Sequence, residues 1–263
     1  MKKTKPAPEF PTTPGKTAIR KELDAVVLAG RKPWTVLADW FDICEATLRM
    51  MPQHVLQIAA TGKTAEDPPE IKALWQRLNE AYKPTDWRHF QTAFHLLRDE
   101  AELRLKEWDE VGGMAVGTTS WDILGDIYQE MNAASSHAGQ FFTPWALACA
   151  TVYPALCGTV ENFTRPDEPY RILDPACGSG VLLLAAAACF PRDAVWRGWV
   201  QFWGNDIDLM CVKMARINMM LYGLNGWGRA WQDAGIVLES IATERSVGLV
   251  ADVELPAGQL SLL

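Results

Sequence analysis

The sequence contains no apolar run that is long enough to cross a bilayer. Its longest apolar stretches, near residues 146–156 and 181–190, fall short of the roughly 20 residues that a membrane-spanning helix needs. The N-terminus also lacks the basic, apolar and small-residue pattern of a secretion signal. These absences predict a cytoplasmic globular protein that does not bind a membrane.

Cysteine pairs at metal-binding spacing are absent as well. The chain has six cysteines, none in a Cys-x-x-Cys arrangement and most of them among apolar residues: Cys44, Cys149, Cys157, Cys177, Cys189 and Cys211. This usage predicts reduced, buried thiols in a cytosolic protein and no metal site.

An excess of basic side chains, typical of a protein that holds DNA by itself, is missing too. The formal net charge is −7; residues 1–119 carry 17 basic and 17 acidic side chains, and residues 120–263 carry 8 and 15. Because DNA affinity depends on phosphate neutralisation, the C-terminal part alone is poorly suited to grip a duplex. The first 32 residues hold eight Lys and Arg against three acids. This segment could contact nucleic acid, although a solvated basic tail is the commoner explanation.

The composition and pattern of the chain predict three parts. Residues 1–15, rich in Pro, Thr and Lys, are predicted to be a disordered arm. Residues 16–119 are predicted to form a helical domain that ends in a Gly-rich linker, because apolar side chains recur there at steps of three and four. Its helices include residues 33–51, a helix after residue 67 with Asp67 as its N-cap, and residues 84–108. Residues 120–263 are predicted to form an α/β domain.

A short apolar strand followed by a Gly-rich turn is the most informative feature of the α/β part. Residues 170–173 are predicted to form the strand, which ends in Asp174 and runs into the sequence DPACGSG. The Ala- and Leu-rich residues 181–188 then predict a helix. Glycines let the backbone approach a ligand closely, and the helix N-terminus offers free N–H groups, so this arrangement is typical of a nucleotide-binding loop.

A second strand is predicted at residues 200–205. It ends in Asp206, which follows Gly180 by 26 residues and is placed to accept hydrogen bonds from a ribose. Asp208 is predicted to be the N-cap of a helix over residues 209–221. Further strands, all parallel, are predicted near residues 228–231 and 246–251.

Another helix start is predicted upstream, at residues 139–144 with the sequence GQFFTP. There Thr143 is predicted to be the N-cap and Pro144 the first helical residue.

Three motifs stand in a fixed order along the chain: GQFFTP, DPACGSG and GNDID. Together with residues 121–130, WDILGDIYQE, they resemble the adenine-N6 DNA methyltransferase family, and within it the modification (methylase) subunits of type I restriction systems. The resemblance covers about residues 121–233. It implies a Rossmann-like core that binds S-adenosylmethionine, preceded by an all-helical N-terminal domain.

The resemblance also implies which residues contact S-adenosylmethionine. They are Gln140, Phe141, Phe142, Thr143, Asp174, Ala176, Gly178, Gly180, Asp206, Ile207 and Asp233. The Phe141 and Phe142 rings would wall the methionine end of the cofactor, although the family often has Tyr at the second position. Asp174 would hold the amino group of the cofactor, and the two glycines would let the loop pass beneath it.

The adenosine end of the cofactor is assigned in the same way. Asp206 would bind the ribose, Ile207 would pack on the adenine ring, and Asp233 could accept from the adenine amino group. Each of these residues also has a purely structural explanation. Asp206 could cap a helix, the two Phe rings could pack in the core, and the glycines could form an ordinary tight turn. For Asp233 a turn or cap role is the commoner one.

One family motif is absent after Asp233. Amino-methyltransferases of this family need an (Asn/Asp/Ser)-Pro-Pro-(Tyr/Phe) loop that orients the target amine and stacks on the flipped base. The chain therefore resembles an enzyme truncated before this loop, with an incomplete sheet. Residues 67–70, DPPE, could be the loop of a permuted enzyme. Against this, Glu70 replaces the aromatic residue, no apolar strand precedes the motif, and a helix start explains it.

Three functions are compatible with these observations. The first is an S-adenosylmethionine-binding DNA adenine-N6 methyltransferase of a restriction-modification type system, which needs a partner for catalysis and target recognition. The second is a non-catalytic cofactor-binding decoy or regulator of the anti-restriction type, and the third is a methyltransferase for RNA, protein or small molecules. The GQFFTP motif favours the first two.

Partner binding is expected for the same reason. We expect no DNA methylation by the isolated chain, and DNA contact through a partner subunit or the basic N-terminal arm. We also expect homo- or hetero-oligomerisation through residues near 240–263, because an unpaired sheet edge recruits partners.

Overall fold

The computed structural model describes residues 14–111, 119–132, 142–226 and 246–248, and helices predominate in these ranges. The helices are α1 (Pro14–Leu28), α2 (Pro33–Thr61), α3 (Pro69–Ala81), α4 (Pro84–Val111), α5 (Ile123–Asn132), α6 (Trp145–Glu161), α7 (Val181–Cys189), α8 (Arg192–Trp196) and α9 (Leu209–Leu221). The strands are β1 (Tyr170–Asp174), β2 (Val200–Asn205) and β3 (Ser246–Gly248). Within these ranges no helix combines the length and the apolar character that crossing a membrane requires.

The prediction of helices over residues 16–108 is confirmed by α1 to α4. Two boundaries differ from the sequence prediction. Pro14 and Gly15, assigned to the arm, are the first residues of α1, and α2 continues past Met51 to Thr61. Gly62 ends α2 in the left-handed conformation, at φ 72°, and its N–H donates to the carbonyl oxygen of Ile58. The predicted arm residues 1–13, the linker glycines and the strand at 228–231 lie outside the described residues.

Two predicted N-caps are wrong, and a proline is the reason in both cases. The N-cap of α6 is Pro144, not Thr143, and the N-cap of α3 is Pro68, not Asp67. Each proline has an extended ψ, 143° and 156° respectively, and therefore lies outside the helix, which begins at the following residue. The Asp67 carboxylate instead accepts a hydrogen bond from the indole N–H of Trp75 at 3.1 Å.

The sheet has the order β1-β2-β3, and its first two strands confirm the prediction. β1 and β2 are parallel and in register from Tyr170 opposite Val200 to Asp174 opposite Gly204, so both carboxyl ends lie at one edge. The prediction that residues 246–251 form a parallel strand is wrong, because β3 is antiparallel to β2, with Ser246 opposite Asn205. An apolar run does not encode strand direction, which depends on the path of the chain between the two strands.

Helix α9 lies between two hydrophobic clusters. Met210, Met214 and Ile217 belong to the cluster formed mainly by α1, α2, α4 and α5. Val212 and Ala215, on the other side of the helix, belong to the cluster that contains α6, α7 and β2. The helical N-terminal region therefore packs directly on a helix of the α/β region.

A buried aromatic group joins the end of α4 to the α/β region. The Trp108 indole N–H donates to the carbonyl oxygen of Phe190 at 2.8 Å, and its ring lies 5.1 Å from that of Trp121. The Trp121 ring in turn stacks on Trp145 and on Tyr222, with centroids 5.7 and 5.0 Å apart. Because Trp108 is fully buried, its ring adds a buried aromatic contact between the two regions.

We expect Trp108→Ala to lower the free energy of unfolding by about 3–5 kcal/mol, because it opens a cavity and leaves a buried carbonyl unpaired. Urea unfolding followed by circular dichroism measures the loss. Trp34, whose side chain is 46% exposed, supplies the control, and Trp34→Ala should cost about 1 kcal/mol or less. Equal losses in the two variants would show that Trp108 does not connect the regions.

Ion pairs join α1 to α5. The Lys16 ammonium lies 2.9 Å from the Glu130 carboxylate and 3.6 Å from that of Asp126. Burial, reinforced by the nearby charge of Asp122, raises the pKa of Asp126 to about 6. Burial also acts on Glu130, but its bonds to Lys16 and Arg20 outweigh that effect and lower its pKa.

These opposite shifts predict opposite pH dependences. A carboxyl group whose pKa is raised in the folded state costs stability as pH rises through the window between its unfolded and folded values, here about 4 to 6. Asp126→Asn should therefore gain stability over wild type, on the order of 1 kcal/mol, at pH 7.5 but not at pH 4. Glu130→Gln should lose stability, and more at pH 7.5 than at pH 4. Differences in Tm that do not change with pH would contradict the assignment.

Candidate cofactor site

The glycine loop, residues 174–180, joins β1 to α7 and lies at the carboxyl edge of the parallel strands. Asp174, the last residue of β1, accepts a hydrogen bond from the backbone N–H of Ala176 at 3.0 Å. The backbone N–H of Cys177 donates to the carbonyl oxygen of Asn205 at 2.9 Å and ties the loop to the end of β2. The two strand ends are therefore linked through the loop.

The Asp206 carboxylate connects the glycine loop to the segment after β2. One oxygen accepts from the backbone N–H of Gly178 and the other from that of Asp208, both at 2.9 Å. The N-cap of α9 is Asp208, as predicted, since its side chain accepts from the N–H of Met210 at 2.8 Å. Asp206 therefore supports the loop rather than capping the helix.

The two loop glycines are required for different local reasons. Both have positive φ, 54° for Gly178 and 89° for Gly180, a region that other residues rarely adopt. A Cβ atom on Gly178 would lie 3.0 Å from two atoms of the Phe142 ring, and one on Gly180 would lie 3.3 Å from the Ala215 Cβ of α9. Gly178 thus lets an aromatic ring cover the loop, and Gly180 lets the loop approach α9.

Phe142 contacts both the core and the loop. Its ring lies 5.3 Å from that of Tyr128 on α5 and packs against the core cluster of the N-terminal helices. It also covers Gly178, so the structure brings these two predicted site residues together. Thr143 follows it and is half-buried. The predicted Gln140, Phe141 and Asp233 lie outside the residues that the structure describes.

Two features at this sheet edge are not accounted for by contacts among the described residues. The Ile207 side chain is 89% exposed although it is apolar. The second carboxylate oxygen of Asp174 is buried, and none of the described residues forms a hydrogen bond to it. An unpaired buried acceptor costs about 1–3 kcal/mol, and a donor from a ligand would remove that cost.

A buried polar network lies beneath the glycine loop, and none of its residues is among the predicted cofactor contacts. Asp122, 3% exposed, accepts hydrogen bonds from the Ser179 hydroxyl, the Gly125 backbone N–H and the Asn218 amide. Its position immediately before α5, three residues from Gly125, is a helix-capping signal that could have identified it.

The electrostatics of the loop do not favour a reactive thiol. Burial, with the negative charges of Asp174 and Asp206, raises the pKa of Cys177 to about 12, so the thiol stays protonated at neutral pH. The described ranges also contain no cluster of three or more His, Cys, Asp or Glu side chains that could hold a metal ion. The arrangement offers carboxylate acceptors, backbone donors and apolar surface, which suits binding of a polar organic cofactor.

Comparison with known proteins agrees with the motifs. Residues 119–235 match the model of the N-6 DNA methylase family, so this part of the chain is similar to that family. A search of solved structures matches 80% of the chain to the type I restriction-modification system methyltransferase subunit from Streptococcus thermophilus. That match has 17% sequence identity and a TM-score of 0.40, and the chain spans 56% of the length of that subunit.

Proposed function

We propose that this protein binds S-adenosylmethionine at the carboxyl ends of β1 and β2, as the cofactor-binding part of a DNA adenine-N6 methyltransferase in a restriction-modification type system. The observation that carries the proposal is the placement of Asp174, the glycine loop and Asp206 at one sheet edge, within the segment that matches the methylase family. Ligands of open α/β sheets bind at this edge.

The residues at this edge suit the parts of the cofactor. The free oxygen of Asp174 would accept a hydrogen bond from the amino group of S-adenosylmethionine. Each Asp206 oxygen accepts one backbone N–H and keeps a lone pair for a ribose hydroxyl. The exposed Ile207 would cover one face of the adenine ring, and Phe142 would flank the methionine end.

The remaining site assignments extend the same proposal. Gln140, Phe141, Thr143 and Ala176 would complete the wall of the site, and Asp233 would accept from the adenine amino group. We also propose the division into a helical domain, residues 16–119, and a Rossmann-like core, residues 120–263. The bound cofactor would supply an electrophilic methyl group, while the residues of this chain hold and orient it.

Methyl transfer in the resembling family uses a loop that accepts hydrogen bonds from the target amine, and residues 1–263 lack the sequence of that loop. No (Asn/Asp/Ser)-Pro-Pro-(Tyr/Phe) tetrapeptide occurs in residues 1–263; the nearest sequence, at 67–70, has Glu70 in place of the aromatic residue and leads into α3. We therefore propose that a partner contributes the loop and the target recognition. DNA would be held by that partner or by the basic arm.

A non-catalytic, cofactor-binding decoy or regulator is the second candidate. The observation that favours it is the same missing tetrapeptide, together with the meeting of Asp174, Gly178 and Asp206 at one sheet edge. The two candidates share the binding step and differ in whether a partner restores methyl transfer.

The binding step is tested by calorimetry with S-adenosylmethionine. Wild type should bind, and Gly178→Leu should abolish binding, because its side chain would occupy the space between the loop and Phe142. Gly62→Leu is the matched control: it introduces a side chain at a similar positive φ, 72°, with no atom within 4 Å, and should bind like wild type. Asp206→Ala should also abolish binding, because the loop loses its support. No binding by wild type at about 1 mM cofactor, the weak end of measurable affinity, would reject the site.

The methyl-transfer step is tested with tritiated cofactor and unmethylated genomic DNA. The isolated chain should incorporate no label, because it offers no acceptors that hold the target amine in line with the methyl group. Label that is incorporated only when co-purified proteins are added would support the split enzyme over the decoy. Robust incorporation by the isolated chain would overturn the proposal and favour residues 67–70 as the catalytic loop of a permuted enzyme.

A further inference from the structure

We propose that Asp122 is a positioning residue for the cofactor, which holds the glycine loop in its binding conformation through Ser179 and Asn218. The inference rests on the proposed binding of S-adenosylmethionine. It concerns a residue that lies behind the loop, outside the predicted cofactor contacts, and that acts from a different element of the fold, the start of α5.

The geometry joins three elements at one carboxylate. One Asp122 oxygen accepts from the Ser179 hydroxyl, and the other accepts from the Gly125 N–H at 2.9 Å and the Asn218 amide at 3.0 Å. The same Asn218 amide nitrogen donates to the carbonyl oxygen of Ser179 at 2.9 Å. Ser179 is therefore held by both its side chain and its backbone, between α5 and α9.

Ser179 is the point at which this network can control the loop. It stands between Gly178 and Gly180, both at positive φ, and glycine restricts backbone motion less than any other residue. Its side chain is fully buried and points away from the open edge of the loop. Asp122 therefore anchors Ser179, the residue between the two glycines, through its side chain.

Helix α5 also supports the opposite wall of the site. Tyr128, in the middle of the helix, packs against Phe142, and the Phe142 ring covers Gly178. A Cβ on Gly125 would lie 2.7 Å from the Ser179 hydroxyl oxygen, so this glycine lets the first turn of α5 approach the loop. One helix thus sets the position of both the loop and the ring above it.

Asp122 accepts three hydrogen bonds, and this requires the two acceptor oxygens of its side chain. Burial raises the pKa of Asp122, and the hydrogen bonds from Ser179, Gly125 and Asn218 offset part of that rise. An asparagine has a single acceptor oxygen, and its NH₂ group can only donate to the Ser179 hydroxyl, which reverses that hydrogen bond. The substitution Asp122→Asn keeps the size of the side chain but removes the acceptor to which Ser179 donates.

The experiment measures the affinity of the full chain for S-adenosylmethionine and S-adenosylhomocysteine by calorimetry. The variants are Asp122→Asn, Ser179→Ala and the double variant. Each single variant should raise Kd about tenfold for both ligands, the effect of losing one buried hydrogen bond. The double variant should be no weaker than the weaker single variant, because both substitutions break the same link.

Asp39→Asn is the matched control. Asp39 is also a buried carboxylate, 6% exposed, and accepts from Tyr82 at 2.6 Å and Arg77 at 2.7 Å within the N-terminal helices. This variant should lower Tm and leave Kd unchanged, so that general destabilisation is separated from positioning.

The outcomes separate this inference from the proposed function. If wild type binds and both Asp122→Asn and Ser179→Ala bind equally well, the positioning role is refuted and the cofactor site stands. Additive losses in the double variant would likewise refute the link through Ser179. If Asp122→Asn fails to fold, Ser179→Ala alone decides the question. If wild type itself does not bind, both proposals are overturned.

Discussion

The carboxylate of Asp206 is the contact on which the site depends, because it bonds to the glycine loop and to the start of α9 at once. A loop with two positive-φ glycines has little conformational preference of its own, so its shape comes from such bonds. The parallel pairing of β1 and β2 makes the contact possible by placing both carboxyl ends at one edge. A residue predicted to bind a ribose is therefore also a structural support for the loop beside it.

The N-terminal helices contact the glycine-loop region through α9, α4 and α5. α9 packs between the two hydrophobic clusters, and Trp108 of α4 is buried against Phe190 and Trp121. Asp122, the residue before α5, lies beneath the loop, and Tyr128 of α5 packs against Phe142. The helical region thus packs against the elements that shape the loop, in addition to being joined to them by the chain.

Local rules predicted much of this fold where one interaction dominated. The Ala-rich α7, the apolar strands β1 and β2, and Asp208 as the cap of α9 each follow from a strong local preference, and all agree with the structure. The caps Thr143 and Asp67 were wrong because the following proline takes an extended ψ and shifts the helix start by one residue. The direction of β3 was wrong because it depends on the chain path, which no local pattern records.

The sequence by itself determined the chemistry of the sheet edge: glycines that permit the loop, and acids at the ends of two strands. These are short-range features, since each follows from a backbone requirement within a few residues. Only the tertiary structure showed that Phe142 covers Gly178 and that Asp122 reaches Ser179, which is 57 residues away along the chain. Such contacts arise from helix packing, which sums many weak apolar interactions, so the local sequence at either residue does not identify its partner.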